Sequence, residues 1–175
     1  GIVKEPEGED AKFAQHIANL IDLHILWRKT MGKEGQAGVF DNYDLRAAKE
    51  LSGQPLTAFR ARNSTMCSLD FSGAELQGAV LSGSDMRNCD LKECDMRGIN
   101  LSKCNLQRSD FRNSDFSPLI LADGREIICD LSCADLSYTD LSGLDLSKTK
   151  MMGANLTGAK LANTKIPQNA VNTLI

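Results

Sequence analysis

The sequence predicts an all-β solenoid, and three regularities predict it. An apolar residue returns every fifth position: of the 21 positions in that register from Met66 to Ile166, 20 hold Leu, Met, Phe or Ile, and only Glu126 departs. The position two before each is mostly small, as in Ala74, Ala79, Cys89, Ser109, Ala134 and Ala159. Glycine recurs two places after the apolar residue, at Gly78, Gly83, Gly98, Gly143, Gly153 and Gly158. A period of five fits neither the 3.6 of a helix nor the 2 of a flat strand, and a sustained period of this kind marks a repeat architecture.

One unit, Ala74-Glu75-Leu76-Gln77-Gly78, explains the pattern. In an extended segment Ala74 and Leu76 share a side and Glu75 faces away from them. Gln77 and Gly78 turn a corner, where a tight turn calls for positive φ. Short sides joined by corners wind into a coil. Small inward residues leave room for large central ones, so a narrow interior fills without voids.

These units, with Ala-Asp-Leu-Ser-Tyr, Ala-Asn-Leu-Thr-Gly and Ala-Lys-Leu-Ala-Asn, resemble the A(D/N)LXX pattern of the pentapeptide-repeat family over about two-thirds of the chain. The resemblance implies a right-handed quadrilateral β-helix, four repeats to a coil, with coils ~4.8 Å apart. Each coil then contacts mainly its neighbours, and stability is close to additive along the stack.

The flanks are read differently. Residues 1–10 are expected to be a flexible, solvated tail. From Ala11 to about Met31 the spacing of Phe13, Ile17, Leu20, Ile21, His24 and Trp27 predicts a helix with one apolar face. The glycine-rich stretch from Gly32 to Gly38 ends it, so residues 11–38 are assigned to an N-terminal α-helical cap and turn. A solenoid end exposes apolar groups and unpaired backbone, which a cap covers. Leu23-His24-Ile25-Leu26-Trp27 followed by Gly32-Lys33-Glu34-Gly35 also resembles the leader of many bacterial members of the family. Repeats are expected over residues 39–166, with an irregular first coil, because Leu51 follows Leu45 one residue late. Residues 167–175 form a short tail: Pro167 closes the last side, and Ala170 to Ile175 are expected over the final coil.

Residues 122–130 interrupt the repeat. The register resumes in phase at Leu131, which would turn Glu126 inward. A lone buried carboxylate is costly. Asp123-Gly124 is therefore expected to turn the chain outward, with Ile127 or Ile128 taking the inward place. The segment is either a tolerated insertion or a partner-binding protrusion.

With four repeats to a coil, residues twenty apart stack. That places Asp70, Asp90, Asp110 and Asp130 in one column, and Glu75, Asp95, Asp115 and Asp135 in another. Stacked like charges repel; Arg87, Lys92, Arg97 and Arg112, each two places after an acid, offset them. The columns are either a mutually screened surface or an acidic ladder imitating DNA, as the resemblance to gyrase-protecting members implies. A third side carries Val80, Asn100, Ile120, Asp140 and Lys160. Val80, Ile120, Ala122, Asp123, Arg125 and Glu126 are the candidate self- or partner-association surface.

Composition narrows the function. The chain has 175 residues, with 20 basic and 23 acidic side chains and a net charge of −3. That balance implies no polyanion binding and no strong acidic field. No apolar run approaches the ~18 residues of a membrane span, and GIVKEPEGED shows no secretory leader, so a cytoplasmic location is expected. Cys89, Cys94, Cys104 and Cys129 fall in the small class and read as structural thiols; Cys67 and Cys133 lie elsewhere in the repeat. No CxxC spacing occurs, and His16 and His24 would sit ~12 Å apart along a helix, so no metal is expected. Walker, GxSxG and HExxH motifs are absent. The sequons at Asn63, Asn100 and Asn155 follow from the repeat or lack a secretory context. The expectation is a non-enzymatic scaffold without cofactor, meeting a protein partner and neither membrane nor nucleic acid. The alternative is a DNA-mimicking regulator of DNA gyrase or another type II topoisomerase.

Overall fold

In the computed structural model, which describes residues 9–173, parallel β-bridges join successive coils of a single stack. Arg60, Thr65, Asp70 and Glu75 bridge Val80, Asp85, Asp90 and Asp95, each twenty residues on. Four sides of five residues therefore complete one coil. Each side holds a single bridging residue between two-residue turns. Isolated bridges thus stand where the sequence led us to expect strands, because a five-residue side has no room for a second bridging residue before its corner.

The central register fills the interior. Met66, Leu76, Leu81, Leu101, Leu106 and Leu141 have no solvent exposure, and burying each contributes ~1.5–3 kcal/mol. The position two before them does more than leave space. Ser84 Oγ donates to the Ala61 carbonyl at 2.8 Å, Cys104 Sγ to Leu81 at 3.1 Å and Ser109 Oγ to Met86 at 2.7 Å, always 23 residues back. These bonds tie each coil to the one before it and satisfy buried polar groups.

The first coil carries its extra residue between Leu45 and Leu51: Val39 and Asp44 bridge Arg60 and Thr65, 21 residues on, whereas Pro55 bridges Glu75 twenty on. Phe40, Leu45, Leu51 and Leu56 are nonetheless all buried. Pro55 lies on the outer edge of this coil, where an N–H would meet no preceding coil, and proline has none to leave unpaired.

Helix α1 spans Glu9–Lys29. It begins before the expected boundary, so Glu9 and Asp10 are helical; the rest of the expected tail, residues 1–8, lies outside the described residues. Ile17, Ile21 and His24 are buried against the coils. Phe13, expected on the same face, is 42 % exposed and stacks on Tyr43 with ring centroids 6.3 Å apart. The helix ends two residues earlier than expected, where the Gly32 amide returns to the Trp27 carbonyl at 2.7 Å. The chain then doubles back so tightly that a Cβ on Gly35 would lie 2.3 Å from the Leu23 carbonyl oxygen.

At the other end Ala159, Leu161 and Ile166 are only partly buried. A 3-10 helix, Gln168–Thr173, brings Ala170 into the core; the last two residues of the expected closing segment lie outside the described ones.

Candidate interaction surface

Corner chemistry decides what the walls present. Each outward Asp or Asn at a bridge accepts the backbone N–H two residues on, as Asp70 does from Ser72 at 2.8 Å and Asp110 from Arg112 at 3.1 Å. This is an Asx-turn that braces the corner. Where an arginine follows, its side chain closes on the same carboxylate: Arg46 on Asp44, Arg87 on Asp85, Arg97 on Asp95 and Arg112 on Asp110, each at 2.7 Å. Lys92 reaches Asp90 at 3.5 Å. The guanidinium hydrogen bonds hold the carboxyls of Asp44, Asp85 and Asp110 below the usual carboxylate range. Asp41 is held lower still by Arg60 and Arg62 together.

The columns differ from those read off the sequence. Asp70, Asp90 and Asp110 do stack, but the next member is Asp140, not Asp130. Glu75, Asp95 and Asp115 stack in turn, and Asp135 instead bridges Asn105. Likewise Asn100 bridges Asp130, giving a column Arg60, Val80, Asn100, Asp130 and Lys150 from which Ile120 is missing. The cause is the interruption. Ten residues leave the wall, so the stacking offset across it is thirty, and half a coil of expected neighbours is exchanged.

Those residues form an antiparallel hairpin. Strand β1, Leu119–Ile120, pairs with β2, Glu126–Ile127, in the register Leu119 to Ile127 and Ile120 to Glu126. The excursion therefore starts at Pro118, earlier than the expected 122. Leu119 and Ile127 turn toward the wall: a Cβ on Gly98 would meet the Leu119 Cβ at 2.7 Å and the Ile127 Cγ2 at 3.2 Å. Gly98, at φ +68°, is thus a seat that admits no side chain. Ile127 packs from outside and Ile128 is half-buried, so neither fills the inward place the sequence suggested. Glu126 never faces the interior; it is exposed across from Ile120, which is 58 % exposed. At the tip, Arg125 pairs with Asp123 at 2.6 Å beside exposed Ala122. Val80 is half-buried in the wall.

The candidate residues fall into two sets. Ile120, Ala122, Asp123, Arg125 and Glu126 share the hairpin, whereas Val80 and the carboxylates belong to the walls. The wall is open beside the hairpin's base. Among the described residues no bridge joins Asp115 to Asp145, and a shallow hollow of about 380 Å³ lies between Asn113–Ser117 and Ser142–Asp145. Its two carboxylates are each engaged by the serine of their own corner, Ser117 and Ser147. Among the described residues no three His, Cys, Asp or Glu side chains are placed to hold a metal ion. Cys89, Cys94 and Cys104 are buried, and burial pushes their thiols up to about 12. No helix among the described residues is long and apolar enough to cross a membrane.

A stack of four-sided coils with one bridging residue to a side defines a pentapeptide solenoid. The family profile described as Pentapeptide repeats matches in eight copies over residues 60–93, 80–117 and 129–166, more than half of the sequence, and the chain belongs to that family. The matched spans stop at 117 and resume at 129, either side of the hairpin.

Solved structures similar to this chain include HetL, a pentapeptide repeat protein involved in heterocyst differentiation regulation in the cyanobacterium Nostoc. It is 24 % identical with a TM-score of 0.31, over 68 % of this chain and 60 % of HetL. QnrB1, a plasmid-mediated fluoroquinolone resistance protein, is 23 % identical with a TM-score of 0.42, over 72 % of this chain and 70 % of QnrB1. A pentapeptide repeat protein of the Arabidopsis thaliana thylakoid lumen is 26 % identical with a TM-score of 0.32, over 68 % of this chain and 63 % of that one. The chain thus spans less than two-thirds of the length of HetL and of the Arabidopsis protein. No curated protein sequence matches it.

Proposed function

We propose that this chain is a non-enzymatic, cytoplasmic scaffold for protein–protein interaction, with α1 as its N-terminal cap and the hairpin as the part a partner reads. The observation that carries the reading is the outer face of that hairpin. It leaves the wall by two whole repeats, it is seated on the wall by Leu119 and Ile127, and it holds Ile120 outward beside Glu126. A large exposed aliphatic on a rigid support is what a complementary surface buries with least loss of freedom. The column acids are occupied by their own corners and arginines, which weighs against the alternative of a DNA-mimicking regulator of a type II topoisomerase.

The test places a photo-reactive residue at Ile120, or at exposed Met152 on another corner, and cross-links in native extract. A product formed from position 120 alone, competed by wild-type chain and not by Ile120→Arg, supports the reading. The same products from both positions would contradict it.

A further inference from the structure

Among the described residues, the α1 side chain that hydrogen-bonds to the first coil is a histidine. His24 has no solvent exposure. Its Nδ1 accepts the Gly38 N–H at 2.8 Å, and its Nε2 lies 3.1 Å from the Thr57 carbonyl oxygen. An amide N–H only donates and a carbonyl only accepts, so the two contacts fix a neutral ring with its proton on Nε2.

The Thr57 carbonyl holds a particular place in the repeat. Its equivalents at Gln77, Ser82 and Arg87 accept the amide N–H of Ala58, Asn63 and Ser68 from the preceding coil. At Thr57, on the first coil, the imidazole supplies the donor instead. The contact is part-buried, and a carbonyl covered by a helix and left without a donor is costly.

A second proton on Nδ1 would oppose the Gly38 N–H, donor against donor. It would also place a charge in a site shut off from water, closed by the Trp27 ring at 5.5 Å and the Phe59 ring at 5.4 Å. The charged group acting on the imidazole is Arg28, on the same helix, and it repels a second cation. The turn contributes Gly38 and the first coil contributes Thr57 and Phe59, none of them titratable, and among the described residues no carboxylate acts on the ring.

We propose that His24 is an acid-sensitive latch: protonation at Nδ1 releases α1 from the first coil and uncovers the N-terminal end of the solenoid. The inference takes α1 as the cap of the reading above but is independent of what the hairpin binds. Burial, the largest influence, lowers the affinity of the folded ring for its second proton. The latch is therefore closed at pH values above the unfolded histidine pKa of ~6.5. It weakens as the pH falls below that value toward the depressed folded one, because the released state binds the proton more readily.

The chain carries its own reporters. Helix α1 is the one α-helix among the described residues, and Trp27 is the sole tryptophan. The test follows 222 nm ellipticity and Trp27 emission of the full chain from about pH 8 to 4.5, with amide exchange resolved by residue. The expected result is a loss of helical signal below about pH 6.5 while Leu76–Leu106 stay protected. His24→Gln, whose amide can still donate to Thr57 but does not titrate, should flatten the transition; His16→Gln, at an exposed position, should keep it. If His24→Gln fails to fold, the His24 ring resonances of the wild type decide: protonation must coincide with loss of α1 protection. A helical signal constant to pH 4.5, a transition that survives His24→Gln, or a ring that titrates while α1 stays protected would each overturn the latch.

Discussion

Asn100 bridges Asp130, thirty residues along the chain, whereas Val80, one coil earlier, is bridged to Asn100 at a distance of twenty. The same shift appears inside the tube: Cys104 donates to a carbonyl 23 residues back, and Cys129 to the Met96 carbonyl 33 back. Wall and interior thus agree that ten residues, two whole repeats, stand outside the stack.

Because the excursion equals two repeats, it should be removable. Deleting residues 118–127 joins Ser117 to Ile128 with the period intact, and Ile128→Gly supplies the corner. The shortened chain is expected to fold with an unchanged coil signature in circular dichroism and to fail to compete with the cross-link that the full chain makes through position 120. A chain that no longer folds would mean that the hairpin is part of the core.

The seat of the hairpin can be tested without removing it. Gly98→Ala forces a Cβ into Leu119 and places a side chain at φ +68°, a conformation costing roughly 1–2 kcal/mol for an L-residue. Trypsin should then cleave at Arg125 faster than in the wild type, well before the coils open. An unchanged rate would show that Leu119 and Ile127 do not hold the hairpin down.

Much of this was legible in the sequence, and the limits have physical causes. Leu101, Leu106 and Leu141 announce the interior because a five-residue period has one architectural solution. The Asp-x-Arg pairs are equally plain, since a side chain two places on reaches the same corner. Whether Leu121 lies in the wall or outside it is not legible. Two repeats looped out leave the phase untouched, and Glu126 signals a departure without saying where it starts. The role of His24 was hidden as well: helical spacing marks a buried face, and neither Gly38 nor Thr57 carries a mark of hydrogen bonding to a ring.

The thiols should divide by position. A thiol-labelling reagent on the native chain is expected to modify Cys133 first and Cys67 next, exposed and half-buried respectively. Cys89, Cys94 and Cys104, pushed up to about 12 by burial, should react only after denaturation. Early labelling of Cys104 would contradict a closed interior.

Acid should weaken the coils in a window separate from that of the His24 latch. Asp44, Asp85 and Asp110 have folded pKa values depressed by their arginines. The stability they contribute is fully present above the unfolded carboxylate pKa of ~3.9 and is lost as pH falls below it. Each is a solvent-screened surface pair of small individual weight, so thermal midpoints should fall gradually below about pH 4. Asp110→Asn, which keeps an acceptor for the corner, should remove part of that slope; an identical pH profile would mean the pair is inert.

Cross-linking across the wall tests the stacking most directly. In a background with Cys67 and Cys133 replaced by Ser, the pair Asn100→Cys with Asp130→Cys is expected to form a disulfide in the native chain, since bridged positions lie within the Cα range a disulfide spans. The pair Asn100→Cys with Ile120→Cys, which uniform twenty-residue stacking would bring together, is expected to stay reduced. The opposite outcome, a bond between positions 100 and 120 and none between 100 and 130, would return the ten residues to the wall and leave the hairpin with no place in the structure.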